Sequence, residues 1–205
     1  MTRPRRILIL FAHPALERSR TNSVLADEAS RVDGVTVHDL YESYPDFMID
    51  VKREQGLLVD HDVIIFQHPF YWYSTPSLVK EWQDLVLEHR WAYGVGGTAL
   101  KGKIAFNAIT TGGGRDAYQR DGFHKHGIRD FLLPHERTAC LCGMTYLAPF
   151  VVHGSLRVEG RDQAAPFAAS YRLLLEALRD NRLDIQKATR AQRLNDDLAS
   201  LVVSP

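Results

Sequence analysis

Unbroken apolar runs alternate along this chain with segments whose apolar residues recur every three or four positions. Residues 7–12, 63–67 and 104–109 are apolar with almost no polar interruption, the pattern of strands covered on both faces. Residues 35–39 and 146–152 complete a set of five predicted strands. Pro149 lies inside the last of these and has no N–H to give a ladder, so that strand is expected at a sheet edge. Between the strands, Leu25, Ala29 and Val32 share helical spacing, with Ser19, Thr21 and Asn22 available to cap the start. A short helix is predicted over 51–58. Thr75 and Pro76 are expected to cap and open a helix with Leu78, Trp82, Leu85 and Val86 as its apolar stripe. Further helices are predicted over about 130–141, around Phe167, Tyr171, Leu174 and Leu178, and around Leu194, Leu198 and Leu201. This last one, beyond the final strand, is expected to pack on a neighbouring subunit. Tyr41, Tyr44 and Phe47, in the long connection 40–50, are expected to pack against the body of the protein.

Five strands alternating with helices, with no repeat or low-complexity linker, predict one α/β domain over residues 1–205. Its sheet is open, doubly wound and parallel. With strand order 2-1-3-4-5 the topological switch falls between the first and third strands, and ligands bind there at the carboxyl ends of the strands. Composition narrows the ligand. Lysine plus arginine and aspartate plus glutamate each number 25, so no net field favours nucleic acid or an anionic membrane. No apolar run approaches the roughly 20 residues of a membrane span, and a cytoplasmic small-molecule protein is expected. Cys140 and Cys142 form neither a disulfide framework nor a zinc set and are expected in the core. His124 and His126 lack a third ligand at metal spacing, so no metal is expected.

Three loops follow strands at the predicted switch. The first, with His13, Ser19, Arg20, Thr21 and Asn22, leads into a helix N-terminus, where free N–H groups and the helix dipole favour a phosphate. The second, Pro69-Phe70-Tyr71-Trp72, offers an aromatic wall to a planar ligand. In the third, Thr110-Thr111-Gly112-Gly113-Gly114, glycines leave no Cβ, so the backbone can reach positive φ and a flat ring can lie against peptide N–H groups. A Cβ at Gly113 is expected to intrude on that ring. A flavin needs these three things: an anchored phosphate, a stacking wall and donors at its pyrimidine edge.

On these segments, and on Ala12-His13-Pro14 and Trp91-Ala92-Tyr93-Gly94, the chain resembles the flavodoxin-like NAD(P)H:quinone oxidoreductases. Within them it is most similar to the ancillary subunits of glutathione-regulated potassium-efflux systems. The resemblance spans about residues 6–154. It implies a flavodoxin-like fold and a bound FMN, with FAD the alternative. It also implies NAD(P)H as co-substrate and hydride transfer to a quinone. His13, Ser19, Arg20, Thr21 and Asn22 would then face the phosphate. Pro69, Phe70, Tyr71, Trp72, Thr110, Thr111, Gly112 and Gly113 would face the ring. Tyr118 and His124 stand at the offsets of the family's tyrosine and histidine of hydride transfer. One position departs, since the quinone reductases carry Gln where this chain has Tyr71. The resemblance also implies a homodimer with Trp91 and Tyr93 as the lip lent to the other subunit. The alternative function is a regulatory one, an FMN-binding subunit that activates a membrane potassium-efflux transporter from the inner face of the membrane. A one-electron carrier is a third class, but such carriers are usually strongly acidic and have no need of Tyr118 and His124.

Overall fold

The computed structural model describes residues 3–203. Strands β1 (Ile7–Phe11), β2 (Val35–Asp39), β3 (Val63–Pro69) and β4 (Ile104–Thr111) run parallel in the order β2-β1-β3-β4. Two short segments, β5 (Thr145–Tyr146) and β6 (Phe150–His153), both pair with β4 on its outer side. The expected order 2-1-3-4-5 therefore holds, with the last strand broken in two. The break is at Pro149. The preceding Ala148 N–H turns away to the Ala188 carbonyl (3.1 Å), and the Pro149 carbonyl accepts from Leu194 N–H (2.9 Å). On the outer edge of β6, Asn195 exchanges two hydrogen bonds with Val151, accepting from its N–H (3.0 Å) and donating to its carbonyl (2.9 Å).

The helices α1 (Asn22–Ala29), α2 (Leu40–Ser43), α3 (Val51–Asp60), α4 (Ser77–Val86), α5 (Ile128–Phe131), α6 (Leu133–Leu141), α7 (Arg161–Arg179), α8 (Ile185–Arg190) and α9 (Leu198–Leu201) surround the sheet. One core packs α1 and α7 against one face through Leu25, Phe106, Phe150, Tyr171 and Leu174. The other packs α3, α4 and α6 against the opposite face through Leu58, Phe66, Trp82 and Ala139. Every residue of β1, β3 and β4 is buried, which is why their sequences read as unalternating.

Several expectations are corrected. Helix α4 starts at Ser77 with Pro76 as its cap and no side-chain cap bond, so Thr75 plays no capping part. Leu85 is exposed, outside the buried face of Leu78, Val79, Trp82 and Val86. Cys142 is buried but Cys140 is exposed. Tyr44 is buried, whereas Phe47, at φ 64°, is exposed. Leu194, Leu198 and Leu201 are buried in the chain's own core and are not available to a neighbouring subunit. Trp91 and Tyr93 pack on the core beside α4, in the segment that leads into the amino end of β4.

Candidate functional site

The carboxyl ends of β1, β3 and β4 open into a cavity of about 550 Å³. Its lining includes His13, Ser19, Arg20, Thr21, Asn22, Pro69, Phe70, Tyr71, Thr110 and Gly112. The three loops separated in sequence therefore do meet. Their seating is explicit in the hydrogen bonds: Gln67 Nε2 donates to the Asn22 carbonyl (3.0 Å), and Asn22 Nδ2 to Thr110 Oγ1 (2.8 Å). Those two bonds fix the first turn of α1 to β3 and β4.

At the α1 end, Arg18 and Arg20 also line the cavity. Ser19 Oγ accepts from Ser23 N–H (3.2 Å). Thr21 is only 2 % exposed, yet its hydroxyl and the Asn22 Oδ1 have no hydrogen-bond partner. Buried polar atoms without partners are uncommon, and here they belong to residues at the start of α1 that share the cavity lining with Arg18 and Arg20. His13 Nδ1 accepts from Ala15 N–H (3.2 Å), which leaves the ring proton on Nε2. Burial pushes the His13 pKa down, against the opposing pull of Glu17 and Asp39.

Not every ring-side expectation lies at the cavity. Phe70 is buried and Tyr71 half exposed beside it, but Trp72, at φ 50°, is 93 % exposed and outside the lining. None of Gly112, Gly113 and Gly114 has positive φ. A Cβ on Gly112 would meet Leu156 Cδ1 at 3.0 Å, at the cavity wall. One on Gly113 would meet the Tyr118 ring at 3.2 Å, away from it. Thr111 is buried behind the turn, its hydroxyl donating to the Gly113 carbonyl (2.8 Å).

Tyr118 and His124 come together on the far side of Phe70. Their rings stack at 4.4 Å between centroids, and Tyr118 meets Phe70 edge-on at 5.9 Å. His124 Nδ1 is buried without a partner. Burial raises the Tyr118 pKa, with the neighbouring Thr111 hydroxyl acting against it and Tyr73 adding to it. The pair is thus a neutral phenol stacked on an imidazole, one aromatic ring away from the cavity. Sequence reasoning missed Arg18, Ser155 and Leu156. Arg18 was legible as a cation in the polar loop, while Ser155 and Leu156, after β6, carry no sequence signal. Among the described residues no group of three or more His, Cys, Asp or Glu is placed to hold a metal ion.

The glutathione-regulated potassium-efflux system ancillary protein KefG of Pectobacterium carotovorum (strain PC1) is 48% identical over 159 residues, covering 78% of this chain and 87% of that protein. The structure of general stress protein 14 from Treponema denticola, in complex with FMN, is 37% identical with a TM-score of 0.80 over 84% of this chain and 99% of that one. An NADPH-quinone reductase from P. pentosaceus is 33% identical with a TM-score of 0.75, over 83% and 97% of the two chains. Residues 5–175 match the family model described as the flavodoxin-like fold, and the chain belongs to that flavodoxin-like family.

Proposed function

We propose that this protein is an FMN-dependent NAD(P)H:quinone oxidoreductase. The observation that carries the reading is the cavity itself. Two arginines, Thr21 with its unpartnered hydroxyl and a helix start share one cavity with Tyr71 and the bare Gly112. That donor set fits a phosphate monoester joined to a flat ring, and the volume lies within the ordinary range for such ligands. FMN would supply a reversible hydride acceptor. Arg18, Arg20, Thr21 and Asn22 would hold the phosphate, and Pro69, Phe70 and Tyr71 would flank the ring. The peptide N–H groups of the glycine turn would donate to its pyrimidine edge and favour the negative charge that develops there. Tyr118 and His124, stacked behind Phe70, would donate and accept hydrogen bonds around the charge that develops beside the nicotinamide and the quinone. The protein works as a homodimer in the cytoplasm.

A second reading is favoured by the identity to KefG: an FMN-binding ancillary subunit that activates a potassium-efflux transporter at the inner face of the membrane. No helix among the described residues is long and apolar enough to cross a membrane itself, so contact with a transporter would be peripheral. The test common to both is the cofactor. Purified protein should be yellow and release about one equivalent of FMN per chain on denaturation, identified by mass. Colourless protein that takes up no added FMN overturns both readings. NAD(P)H-dependent quinone turnover by the loaded protein then supports the first, and its absence leaves the second.

A further inference from the structure

The glycine turn is tied to a part of the chain that no flavin-binding segment includes. Thr111 and His153 stand opposite each other in the β4·β6 ladder, and Thr111 Oγ1 lies 2.9 Å from His153 Nδ1. On the other side of the ring, Arg193 Nη1 lies 2.9 Å from His153 Nε2. Arg193 is buried, and its guanidinium is held by Asp196 at 2.8 and 2.9 Å. Both residues lie beyond residue 175, where the family match ends.

The directions of these bonds are fixed by what each group can do. A guanidinium only donates, so His153 Nε2 accepts and the ring proton is on Nδ1. Nδ1–H must then donate to Thr111 Oγ1, which leaves the one Thr111 hydroxyl proton for the Gly113 carbonyl. That carbonyl also accepts from Gly154 N–H (2.9 Å), so both its lone pairs are taken. In a trans peptide the carbonyl and the next N–H point in opposite directions. Anchoring the Gly113 carbonyl therefore aims the Gly114 N–H to the other side of the turn.

We propose that Arg193, acting through His153 and Thr111, is a positioning residue for the glycine turn: it holds His153 as the neutral Nδ1–H ring and so presets the peptide groups that face the cofactor. The role given to the turn rests on the function proposed above. The groups facing His153 are Arg193 and Asp196 from the segment before α9, Arg115 after the turn, Thr111 on β4, and Tyr118, whose ring centroid is 5.4 Å away. Burial first, then Arg193 and Arg115, push the His153 pKa down to about 4, against the pull of Asp196. Without Arg193 the ring is free to take a proton or to change tautomer, and in the Nε2–H form it would capture the Thr111 hydroxyl proton and release the Gly113 carbonyl.

The test is nitrogen NMR of the full chain, read at the His153 imidazole and at the Gly112, Gly113 and Gly114 amides, with and without FMN. In the parent, His153 should be the neutral Nδ1–H form throughout pH 5.5–8, with the glycine amides insensitive to pH. In Arg193→Met the His153 midpoint should rise by about one unit or more, with the glycine amides following it. Arg193→Lys should restore the parent pattern. With FMN bound, flavin reduction by NAD(P)H in Arg193→Met should acquire a pH dependence with that same midpoint. An Nε2–H ring in the parent, glycine amides that ignore the His153 titration, or a flat reduction rate in Arg193→Met each overturns the proposal. Failure to bind FMN defeats the function proposed above, and the amide titration then decides this inference by itself.

Discussion

The Tyr118 phenol has its pKa raised by burial, so it keeps its proton at neutral pH and can only donate or accept a hydrogen bond beside the stacked His124. Tyr118→Phe and His124→Gln remove those polar atoms while leaving most of the ring or side-chain volume. Neither residue lines the cavity, so FMN binding should be retained. Both half-reactions, flavin reduction by NAD(P)H and reoxidation by quinone, should slow on the order of 10-fold in stopped-flow measurements. Parent rates in both variants would remove the pair from catalysis and favour the regulatory reading. These two residues were legible through their offsets from the glycine turn in the family pattern. That Trp72 stands outside the cavity lining of the chain was not legible, because a row of four aromatics says nothing about φ. Trp72 and Tyr73 both adopt left-handed backbone (φ 50° and 64°), and that turn carries the indole out to solvent.

The loop between the glycine turn and α5 carries Tyr118 and His124 with only one 3-10 turn (Arg115–Ala117) for regular structure. It folds back on itself instead: His124 N–H donates to the Ala117 carbonyl (2.9 Å) and Gly122 N–H to the Gln119 carbonyl (3.0 Å). A Cβ on Gly122 would sit far inside contact distance of the Asp116 carbonyl oxygen and 2.8 Å from that of Ala117. Those are backbone atoms and cannot swing aside. Gly122→Ala is therefore expected to unseat the loop, lowering quinone turnover by about 10-fold or more. Melting should shift by no more than a few degrees, since local segments open independently of the core. A thermal melt beside a turnover assay checks both. The long strands were legible because burial on both faces removes alternation. The break in the last one was not, since Pro149 signals an edge position in sequence but not where the paired segments on each side of it stop.

For the molecule as a whole, the histidines that look scattered along the chain include a buried pair. His68 and His135 stack at 6.1 Å, and His68 continues through Asn107 (2.9 Å) to the Tyr146 hydroxyl, 2.6 Å from Asn107 Oδ1. Burial first, then the neighbouring His135, push the His68 pKa down to about 3, and burial pushes His135 to about 4. Both are neutral when folded, while the unfolded chain takes up their protons as the pH falls below about 6.5. Stability is therefore complete above that value and declines as the pH drops from it towards 4, by up to about 1.4 kcal/mol per pH unit for each histidine. Urea unfolding at pH 7, 6 and 5 should show falling midpoints, and His135→Gln should make the decline shallower. A midpoint constant over that range would contradict the assignment. The arm that crosses the outer edge of β6 has a consequence for behaviour in a crowded solution. By exchanging both hydrogen bonds with Val151, Asn195 occupies the ladder as a neighbouring strand would. The sheet thus offers no free template there for a foreign strand, and copies of the protein are kept from aggregating by sheet addition along that margin.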